Sequence, residues 1–489
     1  MSKKRQDRKE EKRAYKHQRH SFAAIIVTGI AFVLLFSSMS YYMVWYTRTH
    51  EIDMFDNSYN SYAIRLSKEY LRGSIYSSDN QILAYSEGEE AKNQKRIYPF
   101  GNVYAHSVGI SSHGRMGIEA LANYYLLNYH SGITQMAESS ANNIALTADS
   151  VYSTLDSRVQ QAVYDSIGIY KGAAIVTEVK TGRILALVSK PDFDPNQIDS
   201  TWKDMLEDKT DTRLLNRVTQ GLYPPGSTFK IITTIEYLRE HNNDISSYHY
   251  NCNGRFTSGD TTIKCYHGSV HNSVDFKKSF AKSCNSSFAN MGDGFDPTSF
   301  SKTLDDLMFE DELPFDLPYS ISSTGITSNV DKHNLLQGSI GQGQDSLSPL
   351  HLNMITCAIA NNGTLMKPHL IDKVVSSAGD TVKTFGNEKA CELITSEESA
   401  ILRELMTEVV ENGTATRLKN DLYSAAGKTG SAEYGNVKGD SHAWFTGFAP
   451  VEDPEIAITI IIEGAGSGGE YAVPMTKRIF DSYFMNKNN

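Results

Sequence analysis

From Phe22 to Tyr46 the chain reads FAAIIVTGIAFVLLFSSMSYYMVWY, 25 residues without a charge. A helix of that length crosses the ~30 Å hydrocarbon core of a bilayer. Tyr41, Tyr42, Trp45 and Tyr46 would form an aromatic belt at one interface. Past this run the pattern breaks into short periods. LRGSIYSSDNQILAYS reads as strand, Asp79-Asn80 turn, strand. SVYSTLDSRVQQAVYDSI puts Val159, Ala162 and Val163 on one helical face. GAAIVTEVKTGRILALVS is two apolar strands around Lys180-Thr181-Gly182, an antiparallel hairpin. After Ser227, Ile231, Ile235 and Leu238 recur at helical spacing, and Phe229 and Ile232 widen the stripe. A helix apolar over so much of its surface lies inside a domain. Cys357 sits in another apolar helical run and reads as core. Near the end, AGKTGSAEYGN, HAWFTGFAP and EIAITIIIEG read as successive strands of an antiparallel sheet, with Tyr434-Gly435-Asn436 as a hairpin turn.

Charge sharpens this picture. The 489 residues predict two to four domains. Residues 1–20 hold nine Lys or Arg against three acids, so a net charge of −10 overall becomes −16 for the remainder. A body that acidic is a poor partner for nucleic acid. The basic flank at residues 1–21 predicts a cytoplasmic N-terminus, with everything beyond residue 46 on the outside. A cleaved signal peptide fits less well: its apolar stretch spans ~7–15 residues, and no A-x-A site follows here. Five cysteines are too few for a disulfide scaffold. Cys252 and Cys265, which bracket a short Gly-containing segment, are the best candidate pair, with two free thiols as the alternative. No C-x-x-C and no H-E-x-x-H suggests zinc.

The candidate chemistry begins at LYPPGSTFK, where two prolines and a glycine stiffen the approach to Ser227, one turn before Lys230. Ser is a favoured N-cap, and S-x-x-K recurs at Ser200, Ser279 and Ser299, so this tetrad alone decides nothing. A serine becomes a nucleophile when a base takes its proton, and a lysine serves as that base when burial and a nearby cation disfavour its ammonium form. Two further motifs follow in order: Ser283-Cys284-Asn285, and Lys428-Thr429-Gly430. Each has decoys, at Ser58 to Asn60, at Ser140 to Asn142 and at Lys180-Thr181-Gly182. Only the series Ser227, Ser283, Lys428 combines a rigid helix start, a loop after a helix and a late strand. S-x-x-K, S-x-N and K-T-G together are the signature of penicillin-binding proteins and class A β-lactamases.

The chain resembles the class B, monofunctional penicillin-binding proteins over nearly its whole length. The resemblance rests on the three motifs and on longer blocks: RGSIYSSDNQILA, TGRILALVSKPDFDPN, LLNRVTQGLYPPGSTFK, SIGQGQDSLSPLHL and AWFTGFAP. It implies an α+β transpeptidase domain, a five-stranded antiparallel sheet between helices, over residues 147–489. Residues 47–146 would form an extended pedestal above the transmembrane helix 22–46. The implied activity is that of a serine-type D,D-transpeptidase, cross-linking peptidoglycan stem peptides that end in D-Ala-D-Ala through an acyl-enzyme that β-lactams also form. Ser227 would attack, Lys230 would take its proton, and Ser283 would relay a proton to the leaving D-alanine. Asn285 would bond Lys230 and the substrate amide. Lys428 would supply a positive field, and Thr429, Gly430 and Ser431 would hold the substrate carboxylate, backbone and oxyanion. No metal or organic cofactor is needed, and a SEDS-type polytopic glycosyltransferase is the implied membrane partner.

The rivals are a membrane-anchored β-lactamase and a β-lactam-sensing receptor of the same fold. A class A β-lactamase deacylates with a glutamate in an E-x-x-L-N segment, and none lies between 286 and 427. A receptor would need more cytoplasmic machinery than about twenty residues, or a broken triad. His267-Gly268 reads as a structural loop, and Cys284 as a buried space-filler rather than a reactive thiol.

Overall fold

The computed structural model describes residues 3–49, 55, 61–130, 145–434 and 441–487. Two compact units divide at Leu66. The first holds one long helix, α1 (Lys3–Thr49), which carries the predicted apolar run. It is long and apolar enough to cross a membrane. Its large apolar side chains, Phe22, Ile25, Leu34 and Phe36 among them, are all exposed.

The second unit is built on the hairpin foreseen around Lys180-Thr181-Gly182. Its strands are β1 (Gly172–Glu178) and β2 (Ile184–Lys190). Gly182 takes φ +79°, which a side chain would oppose. Three late strands complete the sheet: β3 (Ala426–Glu433), β4 (Ser441–Ala449) and β5 (Ile456–Ile462). The order is β3-β4-β5-β1-β2, all antiparallel. Every residue of β4 and β5 is buried. Both faces are therefore covered, which is why these segments read as continuous apolar runs rather than alternating ones. One cover contains the helix Pro349–Ala360, wholly buried with Cys357 in it, as the sequence predicts. The other contains Ser157–Ile167, with Val159 and Val163 inside, and Ala472–Lys487. The strand β3 stands at the sheet's edge, with its outer hydrogen-bonding groups unpaired by any strand. Of the turn expected at Tyr434-Gly435-Asn436, the last two residues lie outside the described residues.

A second, six-stranded sheet draws on distant parts of the chain. The predicted hairpin is present as Ile75–Tyr76 and Ile82–Glu87, with Asn80 at φ +64° in its turn. Ser150–Ser153 pairs with Ile75–Tyr76 in parallel and with Ile371–Val375 antiparallel. Asp79 accepts hydrogen bonds from the backbone and hydroxyl of Ser157, tying this hairpin to the start of a helix under the main sheet.

Below that sheet Glu119, fully buried, accepts from Arg72 Nε and Arg96 Nε, each at 2.7 Å, and from the Tyr98 hydroxyl at 3.2 Å. Burial pushes its carboxyl up, but Arg96 and Arg72 outweigh that and hold it below the ordinary value. The carboxylate is therefore a condition for burying two guanidiniums. Glu119→Ala is expected to destabilise the unit by about 3–5 kcal/mol, because it strands two buried cations. Because the native carboxyl is depressed, this contribution is present above the unfolded pKa of ~4.3 and is lost as pH falls through the lower folded value. Thermal unfolding of wild type and variant at neutral and acid pH checks both statements; equal melting temperatures at neutral pH would contradict the first.

Candidate active site

The approach to Ser227 is fixed by backbone contacts that only small residues allow. Gly226 has φ +54°, and its N–H donates to Gly341 O at 2.9 Å. A Cβ on Gly341 would stand 2.0 Å from Gly226 O, so no side chain fits there. The indole Nε1 of Trp444, on β4, donates to Pro224 O at 3.1 Å. Ser227 then lies in a single 3-10 turn, Gly226–Phe229, and the α-helix proper runs from Lys230 to Glu240. The sequence reading started the helix at Ser227. The tighter turn precedes it because Pro224 and Pro225 supply no amide hydrogens and Gly226 is held in the left-handed region. Ser227 is no N-cap: that position of the turn is Pro225, without a side-chain bond.

Lys230 opens a helix buried from Lys230 through Leu238. Its Nζ lies 3.1 Å from Ser227 Oγ, 2.8 Å from Ser283 O, 3.2 Å from Ser283 Oγ and 2.6 Å from Asn285 Oδ1. Lys428, on β3, reaches the same serine from the other side, with Nζ 2.9 Å from Ser283 Oγ. Neither ammonium touches solvent. Burial lowers Lys230 to about 8, against an opposing pull from Cys284 and Cys265. Burial lowers Lys428 well below the ordinary lysine value, and repulsion from Lys230 adds to it. The charge of Lys230 thus adds to the burial that disfavours the proton of Lys428, and both nitrogens meet at Ser283 Oγ. A pair so placed can accept the Ser227 proton and pass it along Ser283 Oγ.

All eight predicted site residues meet here. Ser227, Ser283, Asn285, Thr429 and Ser431 line one cleft of ≈ 500 Å³, with Lys230 and Lys428 buried in its floor. Gly430 pairs with Trp444 along β3, and a Cβ on it would crowd Pro225 O and Thr228. The decoys lie elsewhere. Ser200 is an exposed helix residue bonded to Gln197 O, and Ser279 is buried against Ser287. Lys180 is in an exposed ion pair with Asp453. Ser58, Asn60, Ser140 and Asn142 fall outside the described residues.

Other features were not anticipated. The Thr414 hydroxyl sits 2.5 Å from that of Thr429, and Tyr266 and His271 form part of the cleft wall. Thr414 follows Gly413, where a Cβ would stand 2.4 Å from Ala281 O; that glycine was the available signal. Ser283 takes φ +54°, a conformation a serine holds only when its surroundings over-determine it. The proposed Cys252–Cys265 disulfide is not formed: both are free, with sulfurs 3.7 Å apart. Each sulfur is instead within 3.1 Å of the Ser286 hydroxyl.

Because a neutral Lys230 is the form that takes a proton, acylation by a fluorescent penicillin should rise with pH through about 8 and level off above it. Asn285→Asp sets a carboxylate against the ammonium and stabilises it. The midpoint of that profile should then move up by roughly one to three pH units. A stopped-flow pH series on both proteins measures it, and an unshifted midpoint would remove Lys230 from the proton path.

The penicillin binding protein transpeptidase domain matches residues 172–481, the span that holds all of these side chains. The peptidoglycan D,D-transpeptidase PbpA of Mycolicibacterium smegmatis is 28% identical over 445 residues, 83% of this chain and 87% of that protein. The peptidoglycan D,D-transpeptidase MrdA of Acinetobacter baumannii is 27% identical over 80% of this chain and 66% of its own length. Penicillin-binding protein A of M. tuberculosis, solved as a penicillin G acyl-enzyme complex, superposes with a TM-score of 0.74 at 27% identity, covering 85% of this chain and 99% of that one. With the domain match spanning well over half of its residues, the chain belongs to the penicillin-binding protein transpeptidase family.

Proposed function

We propose that this protein is a class B peptidoglycan D,D-transpeptidase in which Ser227 is acylated by a stem peptide ending in D-Ala-D-Ala. The observation that carries the reading is the convergence of Ser227, Lys230, Ser283, Asn285 and Lys428 within hydrogen-bond reach, in a cleft beside an open strand edge. Lys230 takes the Ser227 proton as the hydroxyl oxygen attacks the penultimate D-alanine carbonyl; a positioned base contributes ~10²–10⁴-fold. The oxyanion forms between the backbone N–H groups of Ser227 and Ser431, each such donor worth ~10²–10³ in rate. Ser283, bonded to both lysines, delivers the proton to the leaving D-alanine. Lys428 and Thr429 hold the substrate carboxylate. The substrate lies as an added strand along β3, where Gly430 leaves it room. An amine from a neighbouring stem peptide then attacks the ester, freeing Ser227 and forming the cross-link.

The helix α1 anchors the enzyme in the membrane, with the basic tail inside and the catalytic unit outside. Residues 47–146 serve as the pedestal, and a SEDS-type polytopic glycosyltransferase supplies the strands to be joined.

Ser227→Ala is expected to abolish covalent labelling by fluorescent penicillin while leaving the melting temperature nearly unchanged. Ser200→Ala and Ser299→Ala should label as wild type does. Labelling that survives in the Ser227 variant would sink the assignment.

The penicilloyl-enzyme should also be long-lived. Its hydrolysis needs an activated water on the far side of the ester, which a dedicated glutamate supplies in class A β-lactamases. The bound drug keeps its leaving group tethered where the acceptor amine would enter. Intact mass measured after a chase without drug should show a one-to-one adduct persisting far longer than acylation takes. Loss of the adduct within seconds would favour the β-lactamase reading instead.

A further inference from the structure

Three cysteines and a histidine that the acyl-transfer chemistry does not use meet behind the Ser283 loop. Cys252 ends the strand His249–Cys252, and Cys265 directly follows the strand Thr261–Lys264. His271 directly precedes the strand Asn272–Asp275, and Cys284 is the N-cap of the helix Asn285–Gly294. Their ligand atoms all lie within 4.8 Å of one another. Cys252 Sγ is 3.7 Å from Cys265 Sγ and 3.4 Å from His271 Nδ1, and Cys265 Sγ is 3.8 Å from Cys284 Sγ. The three thiols are buried and His271 is half-buried.

These separations discriminate between explanations. A disulfide brings its sulfurs to about 2.05 Å, far below what is found. Apolar packing accounts for buried thiols but not for the polar groups aimed at them. Ser286 Oγ lies 3.1, 3.1 and 3.4 Å from the sulfurs of Cys252, Cys265 and Cys284. The N–H groups of Gly254 and Ser286 donate to Cys252 and Cys265 at 3.4 and 3.5 Å. Donors of this kind suit thiolates, as the outer shell of a metal site does. A tetrahedral zinc ion with Zn–S of about 2.3 Å and Zn–N of about 2.05 Å has S–S edges of about 3.8 Å and S–N edges of about 3.5 Å. The three edges given above have those lengths, and the other three are no longer than 4.8 Å.

We propose that Cys252, Cys265, His271 and Cys284 bind one structural Zn²⁺ beside the active site. Binding exchanges three S–H bonds for three zinc–sulfur bonds, releases three protons and leaves the imidazole neutral. Thiolates with an imidazole in a tetrahedral set select zinc over magnesium or calcium. Four protein ligands close the shell, so the ion holds structure and activates no water. The pattern C-x12-C-x5-H-x12-C escapes a search for short zinc signatures because every ligand sits on a different element.

The ion also has a place in the site chemistry, a step that rests on the transpeptidase reading. Cys284 stands between Ser283 and Asn285, the two residues that hold Lys230. Ser283 is in the left-handed region, and Asn285 Nδ2 donates to Lys264 O at 3.0 Å, next to Cys265. A metal bond on each side of that contact would pin the loop in its strained form.

Elemental analysis of the full-length chain, purified in detergent without a metal-chelating column, tests the site itself. The expected result is about one zinc per chain, lost in Cys265→Ser and His271→Ala. In case those variants do not fold, wild type stripped and reloaded with cobalt should show the visible absorption of a tetrahedral thiolate complex. A wild-type chain that stays metal-free and alkylatable after zinc is added overturns the proposal. So does a Cys252–Cys265 disulfide, or zinc kept by both variants. Stripping should slow acylation by fluorescent penicillin ~10–100-fold, restored by zinc alone. A bound zinc whose removal leaves acylation unchanged would overturn the pinning role. Zinc that binds to a chain never labelled at Ser227 would leave the metal site standing and defeat the transpeptidase reading.

Discussion

The burial of Lys230 is the constraint on which the rest depends. An ammonium without solvent costs several kcal/mol unless its hydrogens are all met. Here the partners are four oxygens from three residues, and two of those residues belong to one loop. That loop must bring both the carbonyl and the hydroxyl of Ser283 to the same nitrogen, which is why Ser283 adopts a backbone conformation few serines take. Gly226, Gly341 and Trp444 then fix the other side, so that Ser227 is presented to the lysine at the wall of the cleft. The charge of Lys230 in turn adds to the burial that disfavours the proton of the second lysine, Lys428. Reactivity and instability at this point have the same origin.

Much of this was legible in the sequence because the informative signals are local. The hairpin around Lys180-Thr181-Gly182, the buried helix after Lys230 and the three final strands each carry their own period and turn chemistry. The candidate site residues, which the structure brings together, stand out by order and context although each motif appears more than once in the chain. The misreadings concern what only tertiary packing decides. Cys252 and Cys265 bracket a short segment, yet their sulfurs are drawn to Ser286, which lies twenty residues or more from either in the chain. The effect of Lys230 on Lys428 depends on their meeting at Ser283 Oγ, which no spacing announces. The buried Glu119 with its two arginines spans three separate segments, none of them periodic.

The two sheets divide the work of the large unit. The five-stranded sheet is sealed on both faces and leaves one edge open where the site is. The six-stranded sheet collects strands from residues 75–97, 150–153 and 371–384, so the region nearest α1 in sequence is stitched to the middle of the chain by backbone hydrogen bonds. Asp79, bonded to the start of the helix at Ser157, and the Arg183–Asp372 pair join one sheet to the other.

Ser283 and Lys428 touch although 145 residues separate them, and Ser227 lies a further 56 residues upstream. Loops that long close slowly, and Lys428 reaches Ser283 only once the late strands have docked beside the helices of the middle of the chain. A chain still emerging or half folded therefore contains Ser227 and Lys230 without the Ser283 and Lys428 contacts that complete the site. Such a chain lacks the burial that lowers Lys230, so its serine is not activated before the surrounding walls exist. Covalent capture at this site consequently counts completed molecules: it reports assembly of the whole domain, from β1 to β5, as directly as it reports chemistry.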